Sequence, residues 1–529
     1  MKKINYLTLI VIGTILTQVY VSGCNEIDEN LVYSENNLII SDKTLIYPSN
    51  LQEFYNENMT VKVYDNEKVV QGYNLLNIEF GSLYFGSKIQ SVAVLDMNGN
   101  IISGLPNINK EDAEMINSTT LMYSANSSHI GFWNLVTNAT EFFPLPIGRT
   151  LHHDWEYNPL THSFLVLGRE TIKDGVELGG ELVDIVADSF YEMDELGNVL
   201  WSMNSSEFVP FDVEEYYVYN FTKKGDADWT HGNAIFWDYE NDAFYYNARC
   251  RDTIYKINTE TFECEWILGR YNGDFKLYDK TGNEKISLFY GAHSIEKLDD
   301  THFIIYDNDF YNETNIINDQ PNYLIFEVDE ENKEAREVWR WIAPSDYPGA
   351  TMGDADKLPN DNVLGTYHGG LMYLTEVNEL GEIVWELFVN GTDVYRVERF
   401  YGSPLIQFTN ATYNASKKEN AILTFNVWNS FKERRSSLGR LVLYDGNEVL
   451  IDYNFDFKPY WQKTELSIEI PTANYRKGSY NLTILLENED GLGITKYINL
   501  EIQRASAASW IIGISSLLIV TFIIRRKKK

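Results

Sequence analysis

Two short segments carry the residues best suited to chemistry, and both are predicted to be strands of one β-hairpin. The first strand opens with Asp228-Trp229-Thr230-His231-Gly232-Asn233, and the second closes with Ala243-Phe244-Tyr245-Tyr246-Asn247-Ala248-Arg249. Paired antiparallel strands run in opposite directions, so the start of one and the end of the next lie at the same edge of the sheet. His231 and Arg249 can therefore face one point in space, although they are 18 positions apart.

The same layout recurs twice along the chain. A weaker copy begins at His153 and ends at Arg169, and a third begins at His293 and ends in Asp307-Asn308-Asp309. Imidazole and guanidinium groups supply N–H donors and positive charge, and the planar guanidinium binds two oxygens of an oxyanion at once. Histidines that recur at one edge of a repeated β-unit thus predict a site for a tetrahedral anion such as sulfate or phosphate, formed without a metal ion.

The elements that must position these residues are β-strands. Aromatic and β-branched runs alternate with turns of Asn, Asp and Gly, and the body of the chain lacks long helical periodicity. One hairpin recurs in six versions, at residues 96–101, 134–143, 194–201, 258–266, 329–339 and 378–385. These repeats predict an all-β chain with a six-bladed β-propeller at residues 35–400, in which four-stranded sheets surround a central channel. A pair of β-sandwich domains is the alternative, but it would not explain the recurring hairpin.

The propeller hypothesis brings the candidate residues together. The first strand of every blade lines the channel, and all first strands begin at one face. His153, His231 and His293 can each open such a strand, which makes them neighbours around one mouth of the channel. Arg249 lies beside His231 in this arrangement. Asn233 is two residues past His231, so it shares that side of the strand and also faces the channel.

These segments resemble the arylsulfate sulfotransferase family. The resemblance rests first on Asp-Trp-x-His-x-Asn (228–233), followed by an acidic turn, a strand, Arg249 and then Trp266-Ile267-Leu268-Gly269. It rests also on Gly291-Ala292-His293-Ser294, which precedes Ile304-Ile305-Tyr306-Asp307-Asn308. His152-His153-Asp154, a weak match, and residues 353–360 are similar to two more blade openings of the family. The similarity covers roughly residues 90–390, with the best agreement at 228–309.

The resemblance implies a secreted six-bladed propeller that moves a sulfuryl group from an aryl sulfate to a phenol without a nucleotide donor or any other cofactor. It implies that His293 is the nucleophile and becomes transiently sulfated. His231, Asn233, Arg249 and His153 would hold the sulfuryl oxygens. Neutral imidazole is nucleophilic near neutral pH, and cationic neighbours would lower the pKa of His293 and keep it neutral.

Two further histidines are candidates for substrate binding. His152 is the alternative to His153 as the residue that faces the channel. His368, in Tyr367-His368-Gly369-Gly370, follows the inner part of the last repeat and could reach the channel. A second hypothesis of a different class also remains: a non-catalytic propeller at the cell surface that binds an anion, a glycan or a partner protein.

The remaining segments predict an extracellular, membrane-tethered protein. Residues 404–503 lack the hairpin repeat and show alternating strands, which favours an immunoglobulin-like β-sandwich that holds the propeller off the membrane. Residues 1–24 have the charge and apolar run of a secretory signal peptide, and Val21-Ser22-Gly23-Cys24 resembles a lipobox; cleavage without lipidation is the alternative. Residues 505–524 are apolar and long enough to span a bilayer, and the basic tail 525–529 is expected in the cytoplasm.

The composition is compatible with an extracellular, membrane-tethered protein. The formal net charge is −34, which argues against nucleic-acid binding because a binder needs clustered Lys and Arg. Eleven Asn-x-Ser/Thr sequons, including those at Asn117, Asn204, Asn312 and Asn414, are compatible with surface exposure and glycosylation. The partners expected from these observations are an aryl sulfate donor, a phenolic acceptor and the membrane.

Overall fold

The protein is described by a computed structural model that covers most of the chain between residues 38 and 503. The described residues are 38, 40, 58–80, 89–106, 108, 112–149, 151–178, 180–212, 222–223, 226–310, 320–349, 351–368, 371–409, 412–416 and 420–503. The predicted signal peptide (1–24), apolar segment (505–524) and basic tail (525–529) lie outside these residues. Within the described ranges, no helix is long and apolar enough to cross a membrane.

The described chain is built almost wholly from β-strands, so the all-β prediction is confirmed. The strands before residue 401 are β1 (Met59–Tyr64), β2 (Tyr73–Phe80), β3 (Ile89–Leu95), β4 (Ile101–Pro106), β5 (Ala113–Asn117), β6 (Thr120–Asn126), β7 (His129–Asn134), β8 (Thr140–Pro144), β9 (Trp155–Asn158), β10 (Ser163–Leu178), β11 (Glu181–Asp194), β12 (Val199–Asn204), β13 (Thr222–Lys223), β14 (Asp226–Asp228), β15 (Gly232–Asp238), β16 (Ala243–Ala248), β17 (Thr253–Asn258), β18 (Cys264–Gly269), β19 (Lys276–Tyr278), β20 (Glu284–Lys285), β21 (His293–Lys297), β22 (His302–Asp307), β23 (Asn322–Asp329), β24 (Glu334–Ile342), β25 (Asp354–Lys357), β26 (Val363–Tyr367), β27 (Leu371–Val377), β28 (Ile383–Asn390) and β29 (Thr392–Phe400). Two short 3₁₀ turns accompany them, Ser205–Glu207 and Arg249–Arg251.

These strands form six sheets, each built on an antiparallel meander of four strands; in two of them a further strand pairs in parallel, β14 with β11 and β19 with β24. In order from the first strand to the fourth, the meanders are β29-β2-β3-β4, β5-β6-β7-β8, β9-β10-β11-β12, β15-β16-β17-β18, β21-β22-β23-β24 and β25-β26-β27-β28; we number the sheets 1 to 6 in this order. Sheet 1 is assembled from both ends of this region, because β29 pairs with β2. In sheet 6, β1 pairs with β28 as an added outer strand.

The recurring hairpin of the sequence joins the third strand to the fourth in every sheet. In sheet 3 the turn is held by Asp194, whose carboxylate accepts the backbone N–H groups of Leu196 and Asn198 at 2.9 and 2.8 Å. The side chain of Asn198 also donates to Asp194, and Gly197 takes a φ of +80°, where a residue without Cβ is favoured. The corresponding turns of sheets 1 and 6 repeat these bonds at Asp96 and Asn378.

The described hydrophobic core of sheets 1 to 6 is divided into six clusters, one between each pair of successive sheets. Aromatic contacts cross four of these interfaces: Phe143 with Phe164, Phe190 with Phe244, Tyr245 with Phe303, and Tyr323 with Tyr367. A cluster containing Leu75 and Trp133 joins sheets 1 and 2, and one containing Ala93 and Trp385 joins sheets 6 and 1. Each sheet therefore packs on the next, and the last packs on the first.

The residues after 404 form two further sheets around a separate core. Their strands are β30 (Leu405–Phe408), β31 (Thr412–Ser416), β32 (Ala421–Trp428), β33 (Ser437–Asp445), β34 (Glu448–Phe457), β35 (Thr464–Ile470), β36 (Gly478–Asn488) and β37 (Gly493–Gln503). One sheet has the order β30-β32-β35 and the other β31-β37-β36-β33-β34. Apolar residues of both sheets share one cluster, as alternating strands with one buried face require.

Candidate active site

The first strands of the sheets bring the predicted histidines together. His153 lies two residues before β9, His231 immediately before β15, and His293 is the first residue of β21. The ring centroids of His153 and His231 are 5.2 Å apart, and those of His152 and His153 are 4.1 Å apart. The ring of Tyr395 lies 5.6 Å from that of His153 and 6.3 Å from that of His293, so the three strand starts share one edge of the assembly.

Two of these histidines have an unusual backbone conformation. His153 has a φ of +64° and His231 a φ of +46°, in the left-handed region that residues with a Cβ rarely enter. At His231 the strained turn is held by Asp228, whose carboxylate accepts the His231 backbone N–H at 3.1 Å. Non-glycine residues in such conformations concentrate at functional sites, where the surrounding structure fixes them.

The side chain of His293 is buried and its tautomer is fixed. Its Nδ1 lies 2.6 Å from Oδ1 of Asn308. The amide nitrogen of Asn308 donates to the carbonyl groups of Gly349 and Met352 at 2.6 and 3.0 Å, so its oxygen must face the imidazole. Nδ1 of His293 therefore carries the proton and Nε2 keeps a lone pair, which accepts the Met352 N–H at 3.3 Å.

The surroundings keep His293 neutral. Burial lowers the pKa of His293 well below its usual range, and the positive charge of Arg249 lowers it further. The bond to Asn308 acts in the opposite direction and does not restore the pKa. A neutral imidazole with an unprotonated Nε2 is the nucleophilic form of histidine.

His231 forms a dyad with Asp228. Nδ1 of His231 lies 2.7 Å from Oδ2 of Asp228, and a carboxylate can only accept from it, so Nδ1 carries the proton. Burial lowers the pKa of His231, although Asp228 raises it in part. Arg169 donates to the same carboxylate oxygen at 2.6 Å. His231 can thus accept a proton at Nε2, with Asp228 stabilising the resulting imidazolium.

Both members of the His152-His153 pair lie in the cluster. His152 Nδ1 is 3.5 Å from Oδ1 of Asp188, and the other oxygen of Asp188 accepts from Thr230 and from the backbone of Gly232, each at 2.6 Å. Burial would raise the pKa of Asp188, but hydrogen bonding and charge from His152 outweigh it and lower the pKa to about 2. For His153, burial and the neighbouring His152 hold the pKa well below its usual range.

Arg249 supplies the fixed positive charge of the site. It is 1% exposed and lies in the 3₁₀ turn after β16, where its backbone N–H donates to the carbonyl of His231 at 3.3 Å. Its guanidinium is near the chain that leads to His293, because a Cβ built on Gly291 would lie 3.9 Å from its Nη2. The charge lowers the pKa of both His231 and His293.

Asn233 lies beside His293 but is engaged by the protein itself. Its amide nitrogen donates to the carbonyl of Ala292 at 2.9 Å, and its oxygen accepts from Asn247 at 2.7 Å. Asn247 donates to the same Ala292 carbonyl. The sequence predicted that Asn233 holds sulfuryl oxygens; the structure gives it contacts that position the residue preceding His293.

Tyr395, on β29, is a site residue that sequence reasoning missed. Its ring stacks on His153 at 5.6 Å and meets His293 edge-on at 6.3 Å, and its hydroxyl donates to the Asn233 carbonyl at 3.1 Å. His368, predicted to reach the channel, lies after β26 and pairs with Asp393 at 3.1 Å, at the start of the strand that carries Tyr395.

Comparison with solved structures gives matches of low similarity. A protein of unknown function from Bacteroides caccae is 12% identical, with 62% of this chain and 98% of that chain covered and a TM-score of 0.36. A periplasmic gluconolactonase from Pseudomonas aeruginosa is 7% identical, with 75% and 99% covered and a TM-score of 0.33. Hydrazine synthase from Kuenenia stuttgartiensis is 12% identical, with 59% and 74% covered and a TM-score of 0.28. No curated protein matches the sequence.

A family model identifies the chain. The model described as Arylsulfotransferase (ASST) matches residues 47–402, which is more than half of the 529 residues and contains every candidate residue of the site. This match favours an enzyme over the non-catalytic binding protein that the sequence also allowed. The chain therefore belongs to the arylsulfotransferase family and is an aryl sulfotransferase that acts without a nucleotide donor.

Proposed function

We propose that the protein transfers a sulfuryl group from an aryl sulfate to a phenol through a covalent sulfohistidine at His293. The observation that carries the proposal is the fixed tautomer of His293: Asn308 holds Nδ1 as the donor, so the lone pair is at Nε2, and burial with the charge of Arg249 keeps the ring neutral by lowering its pKa. We also propose that sheets 1 to 6 are the blades of a six-bladed β-propeller, and that the histidines line one mouth of its channel.

The first half-reaction forms a nitrogen–sulfur bond. Nε2 of His293 attacks the sulfur of the donor, the bond between sulfur and the aryl oxygen breaks, and the electron pair leaves with the phenolate. The Met352 N–H, 3.3 Å from Nε2 in the free protein, must give up its contact when the donor binds. Arg249 stabilises the negative charge on the sulfuryl oxygens. A positively charged group held in a fixed position contributes most to catalysis in a site closed to water.

The second half-reaction releases the group. The oxygen of the acceptor phenol attacks sulfur, the nitrogen–sulfur bond breaks, and His293 recovers its lone pair. Nε2 of His231 accepts the phenolic proton, and Asp228 stabilises the imidazolium. That proton leaves with the phenolate of the next donor or passes to solvent, so each cycle returns the site to its starting state.

The most direct test uses 4-nitrophenyl sulfate with phenol as acceptor. Wild type is expected to release nitrophenol, His293→Asn to release none, and His162→Asn, which changes an exposed histidine, to match wild type. Mass spectrometry of wild type quenched without acceptor should find about 80 Da added at residue 293, the mass of one SO₃ group. Turnover by His293→Asn, or modification at another residue, would contradict the assignment.

We propose further that residues 404–503 form an immunoglobulin-like stalk and that the enzyme acts outside the cell, tethered by the apolar segment 505–524. The five-strand and three-strand sheets that share one core support the stalk, and the sequence of both chain ends supports the location. Protease treatment of intact cells should remove the described domains while leaving a cytoplasmic marker intact. Protection of these domains would argue against an extracellular location.

A further inference from the structure

Arg169 occupies in sheet 3 the place that Arg249 has in sheet 4. The first and second strands of sheet 3 pair as far as Val166, and Arg169 follows three residues later. In sheet 4 the first and second strands pair as far as Ala248, and Arg249 is the next residue. Because the end of a second strand lies at the edge where the first strand begins, two neighbouring sheets each bring a guanidinium group to the histidine edge.

Each of these arginines acts on a histidine of the following sheet. Arg249 of sheet 4 lowers the pKa of His293, which opens sheet 5. Arg169 of sheet 3 donates to Oδ2 of Asp228 at 2.6 Å, and the same oxygen lies 2.7 Å from Nδ1 of His231, at the start of sheet 4. Asp228 belongs to β14, which pairs with β11 of sheet 3. The carboxylate therefore links Arg169 to His231 across the boundary between the two sheets.

One oxygen of Asp228 contacts a cation and an imidazole at once. The Asp228 side chain is 5% exposed and the Arg169 side chain 33%, so water screens this pair less than it screens a pair on the surface. Asp228 raises the pKa of His231. The guanidinium on the same oxygen offsets part of that effect, because its field opposes the field of the carboxylate at the ring. The other charged or titratable groups that act on the His231 ring are His152, His153, His293 and Arg249.

We propose that Arg169 is a positioning residue for proton transfer by His231: it holds Asp228 against the imidazole and limits how much of the carboxylate charge reaches the ring. With Asp228 alone, the ring would keep its proton too firmly to act as a base toward the acceptor phenol. Arg169 thus serves His231 through a carboxylate, as Arg249 serves His293 directly. The effect on rate rests on the proposed function, whereas the proton affinity of His231 can be measured without any substrate.

The first test is an NMR titration of the full chain with ¹³C-labelled histidine, with neither donor nor acceptor present. The signal that disappears in His231→Gln identifies the ring. In Arg169→Met the pKa of His231 should rise, and in Arg169→Lys, which keeps the positive charge, it should remain near the wild-type value. Lys173→Met removes an exposed cation from the same strand and should leave the titration unchanged. Circular dichroism of each variant checks that its strand content is retained.

The second test separates the two half-reactions by their pH profiles. The kcat/KM for the acceptor phenol requires neutral His231, so in Arg169→Met its fall toward acid should begin at higher pH than in wild type. The kcat/KM for 4-nitrophenyl sulfate depends on neutral His293, because the nitrophenolate leaves unaided, and its acid limit should stay in place. A purely structural role of Arg169 would lower both constants and move neither limit.

A His231 pKa that stays in place or falls in Arg169→Met would overturn the proposal, as would an equal rise in Lys173→Met. These outcomes are independent of the transfer reaction. If wild type transfers no sulfuryl group, the proposed function fails while the NMR result still decides the role of Arg169. If wild type is active and the titration is unchanged in Arg169→Met, only the role of Arg169 fails.

Discussion

At the scale of single residues, two histidines of the site differ in their hydrogen-bond partners and therefore in the chemistry that they can perform. His293 faces the neutral amide of Asn308 and His231 faces the carboxylate of Asp228. Both place the proton on Nδ1, but only Asp228 can stabilise a positive ring. His293 is therefore suited to attack as a neutral nucleophile, and His231 is suited to take up and return a proton.

Arg249→Gln is expected to move the acid limit of activity to higher pH. His293 attacks only when neutral, and burial together with the Arg249 charge lowers its pKa well below the usual value of 6.5. Wild-type kcat/KM should thus hold below pH 6.5 and fall only as pH approaches the lowered pKa. Without the charge the pKa of His293 rises, so the fall begins at higher pH, and the plateau drops by about 10²-fold.

The pH profile of kcat/KM measures both effects at once. Arg440→Gln is the matched control, because Arg440 is half exposed and pairs with Asp452 in the sheets after residue 404. An acid limit that stays in place in Arg249→Gln would contradict the role of this charge.

Asp228→Asn should slow poor donors more than good ones. The change removes the carboxylate that raises the pKa of His231, so the ring becomes a weaker carrier of the phenolic proton. Loss of acid–base assistance costs about 10²-fold or more when the leaving phenolate needs a proton. Phenyl sulfate should therefore lose more rate than 4-nitrophenyl sulfate, whose phenolate leaves unaided. Asp226→Asn, an exposed position on the same strand, is the control, and equal losses for both donors would contradict the argument.

Much of the residue-scale site could be predicted from sequence. His153, His231, His293 and Arg249 follow from the repeated strand starts, because equivalent positions of repeated units meet at one edge. Tyr395 could not be found in this way, since its partner Asn233 is 162 positions away. Asp228 belongs to the Asp-Trp-x-His-x-Asn motif and precedes His231 by three residues. This short spacing in sequence was the signal that could have identified it as the partner of His231.

At the scale of elements, the turn between the third and fourth strands ties neighbouring sheets together. Gly197 has a φ of +80°, and a Cβ there would lie 2.6 Å from the carbonyl oxygen of Pro144, at the end of β8 in the preceding sheet. The position therefore excludes a side chain for two reasons, its backbone conformation and the close approach of another strand.

Comparing Gly197→Ala with Gly148→Ala separates these two causes. Gly148 also has a φ of +80°, but nothing lies within 4 Å of its Cβ position. Gly148→Ala should lower stability by about 1 kcal/mol through the backbone alone, and Gly197→Ala should cost more because β8 must move. Thermal unfolding of both variants measures the difference, and equal shifts of Tm would show that the contact with Pro144 carries no energy.

Among the elements, local turns could be predicted from the sequence and long-range strand pairing could not. The turns at Gly99, Gly197 and Gly381 were predictable because Asp or Asn and Gly recur at fixed spacing. The pairing of β29 with β2 was not, because the strands are more than 300 residues apart and no local pattern encodes such a partner. Sheet 1 is completed only when the end of this region returns to its beginning.

At the scale of the whole molecule, a loop of the C-terminal sheets contacts the first strands of four of the other six sheets. This basic loop, residues 431–435, connects β32 to β33. Lys432 pairs with Glu296 and Asp356, and Arg434 pairs with Glu114 and Glu156 at 3.0 and 2.8 Å. These four acids lie on four different first strands, so one loop neutralises carboxylates from four sheets.

Burial disfavours the ionised form of the carboxyl groups around the basic loop. Burial and the charge of Asp356 raise the pKa of Glu296, Lys432 lowers it in part, and the resulting pKa is about 8. A raised folded-state pKa gives stability that is complete below the unfolded pKa of about 4.3 and is lost as pH rises through the folded value. The protein should thus lose stability between about pH 5 and 8 as Glu296 ionises.

Lys432→Met tests this coupling between the C-terminal sheets and the rest of the molecule. At pH 8 the change leaves Glu296 and Asp356 buried without their cation, and removal of one partner from a buried pair costs about 3–5 kcal/mol. At pH 5 both carboxyl groups can take up protons, so the cost should shrink. Tm of variant and wild type is measured across this range, with Lys463→Met as control, because Lys463 is half exposed and pairs with the exposed Glu465. A loss of Tm independent of pH would mean that Lys432 stabilises through packing of its chain and not through its charge.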